Sequence, residues 1–359
     1  MFKISHEVPL ELLETSNKFN DYDYALVHLF DKYPEYYEFY KKQVGRGRMV
    51  ILDNSAYELG QPYDWKDYVK YILNLRPTEY VLPDYRDDAE RNLAAAKKFL
   101  KLYAPSAVGY HPTTIGVVHG KDYASFVQNY KDLSEFVDKI AFSFESFFIE
   151  IAKTNGYTLA EARVNIILKM KEDGIIDEEM PHHILGALSP TEYANYRHFD
   201  WIESADTSNP ILHGMIGQRY KGVEGLKEKS SIKMESLMEA HLSSEVLEDI
   251  KYNVGWFRSV ARGNFKPEPE VIDTAASVKA VANSMVDLLE YKNAKYGDAV
   301  LNPLNIFQGK CKAGQRLDDK LGRIKNSDEL RKNDVSDLIG YLILTCVEKG
   351  WTDFSEFKD

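Results

Sequence analysis

Arg48-Met49-Val50-Ile51-Leu52-Asp53-Asn54-Ser55 is a continuous apolar run that stops at a carboxylate. A strand with one solvated face would alternate apolar and polar residues. A run apolar throughout fits a strand of a parallel sheet covered on both sides, with polar groups at its carboxyl end. Downstream, Asp64 to Leu73 has amphipathic helical spacing and opens on a capping aspartate. The unit then repeats. Tyr80-Val81-Leu82-Pro83-Asp84 is a short strand with Pro83 at its end, and Asp88 to Leu102 is a helix rich in Ala, Lys and Leu. Ile115-Gly116-Val117-Val118-His119-Gly120 is followed by a helix over Tyr123 to Phe136. Lys139-Ile140-Ala141-Phe142-Ser143-Phe144-Glu145 is followed by one over Thr158 to Lys171. His183 to Pro190 leads into a short helix at Thr191 to Tyr196, and Ile202-Glu203-Ser204-Ala205-Asp206 ends in the turn Thr207-Ser208-Asn209-Pro210. Upstream, the aromatic-rich residues 10–44 read as one or two helices covering the barrel or its mouth.

Strand, polar turn and helix recurring at this spacing is α/β organisation. A closed barrel brings every strand end to one mouth, where Asp53, Asp84, His119, Glu145 and Asp206 could converge; a doubly wound sheet would not. The predicted fold is therefore a TIM-type (β/α)8 barrel. No dinucleotide or Walker phosphate loop is present, and Gly45-Arg46-Gly47 precedes a strand rather than following one. After Trp256 the pattern changes to a turn-rich stretch and then to helices over Val271–Glu290, Leu317–Asn326 and Asp334–Val347. The predicted organisation is a barrel over residues 1–262, a linker over 263–274 and a small all-helical domain over 275–359.

At 359 residues the chain is long enough for two domains. A net charge of −11 argues against a protein coated in nucleic acid, although Lys41, Lys42, Arg46 and Arg48, or Lys221, Lys227, Lys229 and Lys233, could form a local basic face. The two cysteines, Cys311 and Cys346, make neither a disulfide framework nor a four-sulfur metal site. No apolar run approaches the roughly 20 residues of a membrane span, and the expected address is the cytoplasm.

Carboxylates gathered at one mouth suit the cleavage of a base–sugar bond. A carboxylate can attack or stabilise a sugar carbon that carries positive charge, and a second carboxyl group can protonate the departing base. Asp206 and Asp53 could take those roles, and Asp84 could accept hydrogen bonds from a purine-like edge. Gly120 and Gly186 could let backbone amides approach a flat ring, or could serve tight turns. Each acid also has a local use: Asp53 and Asp84 as turn caps, Glu145 against the first turn of a helix. His119 suits a base or a satisfied buried histidine equally.

The same stretches resemble, in order, the landmarks of the queuine-type tRNA-guanine transglycosylases and their bacteriophage relatives. Asp53-Asn54-Ser55-Ala56-Tyr57 is similar to a segment whose Asp is the general acid/base, and Val81-Leu82-Pro83-Asp84 to a strand ending in a base-recognising Asp. Gly116-Val117-Val118-His119-Gly120 resembles Gly-Ile-Val-Gln-Gly with His for Gln, Phe142-Ser143-Phe144-Glu145 a segment ending in Gly-Glu, and Ile184 to Pro190 the family's Leu-Met-Gly-Val-Gly-x-Pro. Asp206-Thr207-Ser208-Asn209-Pro210 resembles the segment bearing the nucleophile. The resemblance implies catalytic Asp206 and Asp53, with Asn54, Asp84, His119, Gly120, Glu145 and Gly186 around the base. The family's three-cysteine, one-histidine zinc site and its Arg-Asn-Ala-Arg-Asn-Gly segment are missing, so DNA or a free nucleotide is the expected partner before tRNA. A barrel of this kind requires no cofactor, and a homo-oligomer is compatible with the family.

The tail resembles a helical domain found beside nucleotide-modifying enzymes, through Asp319-Lys320-Leu321-Gly322-Arg323-Ile324 and Asp334-Val335-Ser336-Asp337-Leu338. Asp287 with Glu290, and Asp334 with Asp337, each fall three apart on one helix face, with Asp319 and Arg323 between them. Glu290, Asp334 and Asp337 could hold Mg²⁺, as in a nucleotide pyrophosphohydrolase, or could form a solvated acidic face. A third reading of the chain is a base-binding module without catalysis.

Overall fold

The structure is a computed structural model that describes residues 2–103, 109–222, 232–264, 290 and 304–351. It divides into two compact units, Met1–Pro267 and Glu268–Asp359. The first holds eight parallel strands: β1 (Lys3–Ser5), β2 (Asp23–Leu26), β3 (Val50–Asp53), β4 (Glu79–Val81), β5 (Thr113–Val118), β6 (Lys139–Phe142), β7 (His182–Ile184) and β8 (Ile202–Asp206). Their order is β1-β8-β7-β6-β5-β4-β3-β2, so sequential neighbours pair all the way round a nearly closed barrel. Between β1 and β2 the ladder is replaced by a clasp. Asp21 N–H donates to the Ile4 carbonyl at 3.0 Å, and Ile4 N–H donates to Asp21 Oδ2 at 2.9 Å. Arg258, on the helix Ser244–Ala261, and Arg262 just beyond it donate to the same carboxylate at 2.7 and 2.9 Å. Burial would raise the Asp21 carboxyl, but the Ile4 amide and these guanidinium groups outweigh it and hold it below the usual range.

The predicted (β/α)8 fold is thus the observed one, with helices Trp65–Leu75, Ala89–Tyr103, Tyr123–Ser134, Leu159–Glu172 and Pro190–Tyr196 after successive strands. Asp64 caps its helix by accepting from Lys66 and Asp67 N–H, and Thr158 forms a capping box with Glu161. One expectation is corrected. Residues 10–44 are not merely helical cover: β2 runs through them, and β1 precedes them. Asp21-Tyr22-Asp23-Tyr24 looks like a polar turn, yet every residue of β2 is buried. Arg48 pairs with Asp23 at 2.8 Å, which makes a carboxylate tolerable inside a strand that sequence pattern alone rejects.

At the amino ends of the strands the barrel carries compensated charge. Lys139 Nζ lies 2.7 Å from both Glu79 Oε2 and Glu203 Oε2, and Lys3 Nζ lies 2.9 Å from Glu203 Oε1. These contacts join β4, β6, β8 and β1. They hold Glu203 down at about 2 against the upward push of its burial.

The second unit has helices Gly314–Lys325 and Lys332–Lys349. Asp318 accepts from the backbone N–H groups of Ile306, Phe307 and Gln308 at 2.8–2.9 Å, which pins the loop before its own helix. The expected helix over Val271–Glu290 lies outside the described residues except for Glu290, which is helical and exposed. Among the described residues no helix is long and apolar enough to cross a membrane.

Candidate active site at the carboxyl ends of the strands

Hydrogen bonds at the carboxyl end of the barrel hold Asp84, His119 and Glu145 in one group and Asp206 in another; Asn54 bonds to the first, and Asp53 bonds to Tyr24, whose ring stacks on His183 of the second. The first group centres on His119, just past β5. Its Nδ1 lies 2.7 Å from Glu145 Oε1 and its Nε2 2.7 Å from Asp84 Oδ2. With a carboxylate on each nitrogen, both must carry a proton. Burial alone would depress the imidazole, but Glu145 and Asp84 outweigh it and hold its pKa up at about 10. Asn54 Nδ2 donates to Asp84 Oδ1 and to the Leu82 carbonyl, each at 2.6 Å. Gly120 N–H and Asp87 N–H complete Glu145 at 3.3 and 3.2 Å. Glu145 stands at the N-cap position of the helix Ser146–Asn155, but its side chain makes no capping bond there; after β4, Asp88 accepts from Arg91 N–H at 3.0 Å.

The second group centres on Asp206, the last residue of β8. Its Oδ1 lies 3.0 Å from His183 Nε2, and the Gly186 N–H lies 3.2 Å from both carboxylate oxygens. His183 Nδ1 meets Ser204 Oγ at 2.9 Å. Gly186 has a left-handed φ of 56°, which turns its amide back toward β8 without a Cβ penalty. Tyr193 donates to the Asp206 carbonyl at 2.8 Å, and Thr207 Oγ1 to the Ala187 carbonyl at 2.7 Å, which fixes the backbone on both sides of the acid.

Asp53 is held at both oxygens. Tyr24 OH lies 2.7 Å from its Oδ2, and Ser55 N–H donates to its Oδ1 at 2.6 Å. That second bond is the local turn expected of an aspartate after a strand, and it holds Ser55 at a left-handed φ of 59°. Burial, the negative charge of Glu58 and, further, that of Asp84 push the Asp53 carboxyl well above the usual carboxylate range, against the bond from Tyr24. A carboxyl group pushed up in this way is suited to delivering a proton.

Gly120 has a packing reason to be glycine. A Cβ there would come within 2.5 Å of the Phe126 amide nitrogen, so the residue is glycine to let the helix Tyr123–Ser134 pack against the end of β5. Tyr24, His183 and Ser204 were not singled out from the sequence. The available signal was His182-His183 at the start of a strand: alternation sends one ring outward, to Tyr130 at 3.0 Å, and the other into the barrel.

Beside this rim a cavity of about 450 Å³ opens between the first turns of Leu159–Glu172 and Pro190–Tyr196, and includes Leu188 and Ser189 from the loop that follows Gly186. The cluster itself is shielded, with side-chain exposures of 13% for Asp84, 4% for Asp206 and 2% for His119.

In the helical unit, Lys320 Nζ lies 3.2 Å from Asp334 Oδ1 and 2.9 Å from Asp337 Oδ2, and Arg323 pairs with Asp319 at 2.8 Å. Lys320 thus pairs with two of the three carboxylates of the expected Mg²⁺ site, Asp334 and Asp337, and no group of three metal-ligating side chains occurs among the described residues. Asp287 lies outside the described residues. The carboxyl face of a parallel barrel is where enzymes of this architecture carry their chemistry, and the acids gathered here are consistent with that use. No family model and no curated protein matches the chain.

Proposed function

We propose that the barrel is a glycosidic-bond enzyme that exchanges or removes a purine or deazapurine base, acting on DNA or on free nucleotides, with Asp206 as nucleophile and Asp53 as general acid/base. The observation that carries this reading is the different surroundings of two carboxyl groups at one end of the barrel. Asp206 is met by His183 Nε2 and the Gly186 N–H, whereas burial and the negative charge of Glu58 push the Asp53 carboxyl up. A nucleophile and an acid are the two groups that displacement at a sugar carbon requires.

In this mechanism Asp206 Oδ2 attacks C1′ and forms a C–O bond. The C1′–N bond breaks, its electron pair stays on the base nitrogen, and Asp53 supplies the proton. Asp53, now a carboxylate, takes a proton from the incoming base, whose nitrogen attacks C1′ and releases the Asp206 carboxylate. Water in place of that base gives hydrolysis. Asp84 and Glu145 bring carboxyl oxygens to the rim beside His119, and such acceptors suit the N–H-rich edge of a guanine-like ring. The net charge of −11 disfavours a nonspecific polyanion track and favours a substrate recognised through its base.

The test is incorporation of labelled guanine or a 7-deazaguanine into duplex DNA, single-stranded DNA, tRNA and deoxynucleosides offered in parallel. Incorporation into DNA or nucleosides that disappears in Asp53→Asn supports the reading. Binding of the base with neither exchange nor release from any of the four would replace it with a non-catalytic module.

A further inference from the structure

The two proposed reacting carboxylates are connected inside the barrel by a pair of stacked rings. Tyr24, on β2, and His183, on β7, have centroids 5.8 Å apart and planes within 6° of parallel. Around the ring of strands β1 and β8 separate β2 from β7, so this contact crosses the interior. Both side chains are buried, and Tyr22 closes on the edge of His183 at 6.4 Å. A stacked ring with an edge-on neighbour cannot swing, so the imidazole plane is fixed before its nitrogens find partners. A Ser204 hydroxyl that donates to Nδ1 leaves the ring proton on Nε2, aimed at Asp206 Oδ1. At the other end the Tyr24 hydroxyl reaches Asp53 Oδ2. A phenol can donate to a carboxylate and accept from a carboxylic acid, so this contact survives both states through which Asp53 would pass.

We propose that Tyr24 and His183 are positioning residues for the glycosidic reaction, with His183 occupying Oδ1 of Asp206 so that Oδ2 is the attacking oxygen, and Tyr24 holding Asp53 through its gain and loss of a proton. This rests on the reading of the barrel given above. It adds two residues that touch neither base nor sugar and whose effect passes through the acids they hold.

The test is the rate of covalent sugar–enzyme formation in a single turnover, with a guanine-containing oligodeoxynucleotide and with deoxyguanosine, alongside the affinity for free guanine. His183→Phe keeps a stacking ring and removes both nitrogens. It should slow adduct formation about a hundredfold, the scale of a lost orienting contact, while guanine affinity stays within about twofold. His183→Gln restores a donor near the Nε2 position and should recover about tenfold of that loss; Tyr24→Phe should slow the step about tenfold. A folded His183→Phe protein that reacts at the wild-type rate overturns the proposal, as does a glutamine variant no faster than the phenylalanine one. Long-range ¹H–¹⁵N correlation of the wild-type imidazole provides a readout independent of activity and of variant folding. A proton on Nε2 is expected, and an Nδ1–H tautomer would overturn the assignment. If wild type forms no adduct with either substrate, the glycosidic reading itself fails, and the imidazole spectrum still decides whether the bridge is built as described.

Discussion

The two ends of the barrel treat buried charge in opposite ways. At the amino ends, Glu79 and Glu203 face Lys139 and Lys3, acid against base, at 2.7–2.9 Å. At the carboxyl ends, Asp84 and Glu145 share the single ring of His119, while Asp206 is met by His183 and the Gly186 amide and Asp53 by Tyr24 and the Ser55 amide. A compensated cluster holds strands in register and has nothing left to offer a ligand. A cluster with more acid than base keeps acceptors and exchangeable protons, which is what a reacting site needs. The contrast makes the carboxyl end the candidate site without reference to any relative.

If that contrast is right, variants at the two ends should fail differently. The largest effect is expected for Asp206→Asn, a loss of roughly 10³-fold or more in base exchange or release with the melting temperature little changed. Activity assays beside thermal melts check it, and comparable activity in the variant would break the assignment of the carboxyl end. Lys139→Met should do the reverse. It strands buried Glu79 without its cation and should cost about 3–5 kcal/mol in urea unfolding, leaving the mouth chemistry unaffected in the folded fraction.

His119 sharpens the comparison through pH. Its pKa is raised in the folded chain, from 6.5 to about 10, so the stability it supplies is fully present below pH 6.5 and is lost as pH rises through about 10. Between pH 7 and 10.5 wild type should lose roughly 2–4 kcal/mol that His119→Gln, less stable at neutral pH, does not lose. Parallel urea curves over that window would show the cation at the mouth to be dispensable. The smallest expected effect is at Tyr193→Phe. The bond to the Asp206 carbonyl is one buried neutral contact, and its removal should cost about 1 kcal/mol and less than tenfold in rate.

Much of this site could be read from the chain because its acids sit where apolar runs stop. Val50-Ile51-Leu52-Asp53 announces both the strand and the group at its tip, whereas Ile202-Glu203-Ser204-Ala205-Asp206 is marked by the turn residues that follow it. What stayed hidden depends on contacts between strands far apart in sequence. β2 carries Asp23, whose acceptability follows from Arg48, 25 residues on. His183 looks like half of a histidine pair until the closed ring brings Tyr24 over it. Gly120 looks like a ligand-facing glycine, but the atom its missing Cβ avoids belongs to a helix. Pattern along the chain reports which residues end strands; it does not report what meets them across a barrel.

The central claim is that Asp206 forms a bond to the sugar. Wild-type protein quenched in acid during turnover on a guanine-containing oligodeoxynucleotide or deoxyguanosine, then digested and analysed by mass spectrometry, tests it directly. The account predicts a sugar-bearing peptide that contains Asp206, absent from Asp206→Asn and depleted when free base is added in excess. Base release with no adduct on any peptide, or an adduct carried by another residue, would contradict it.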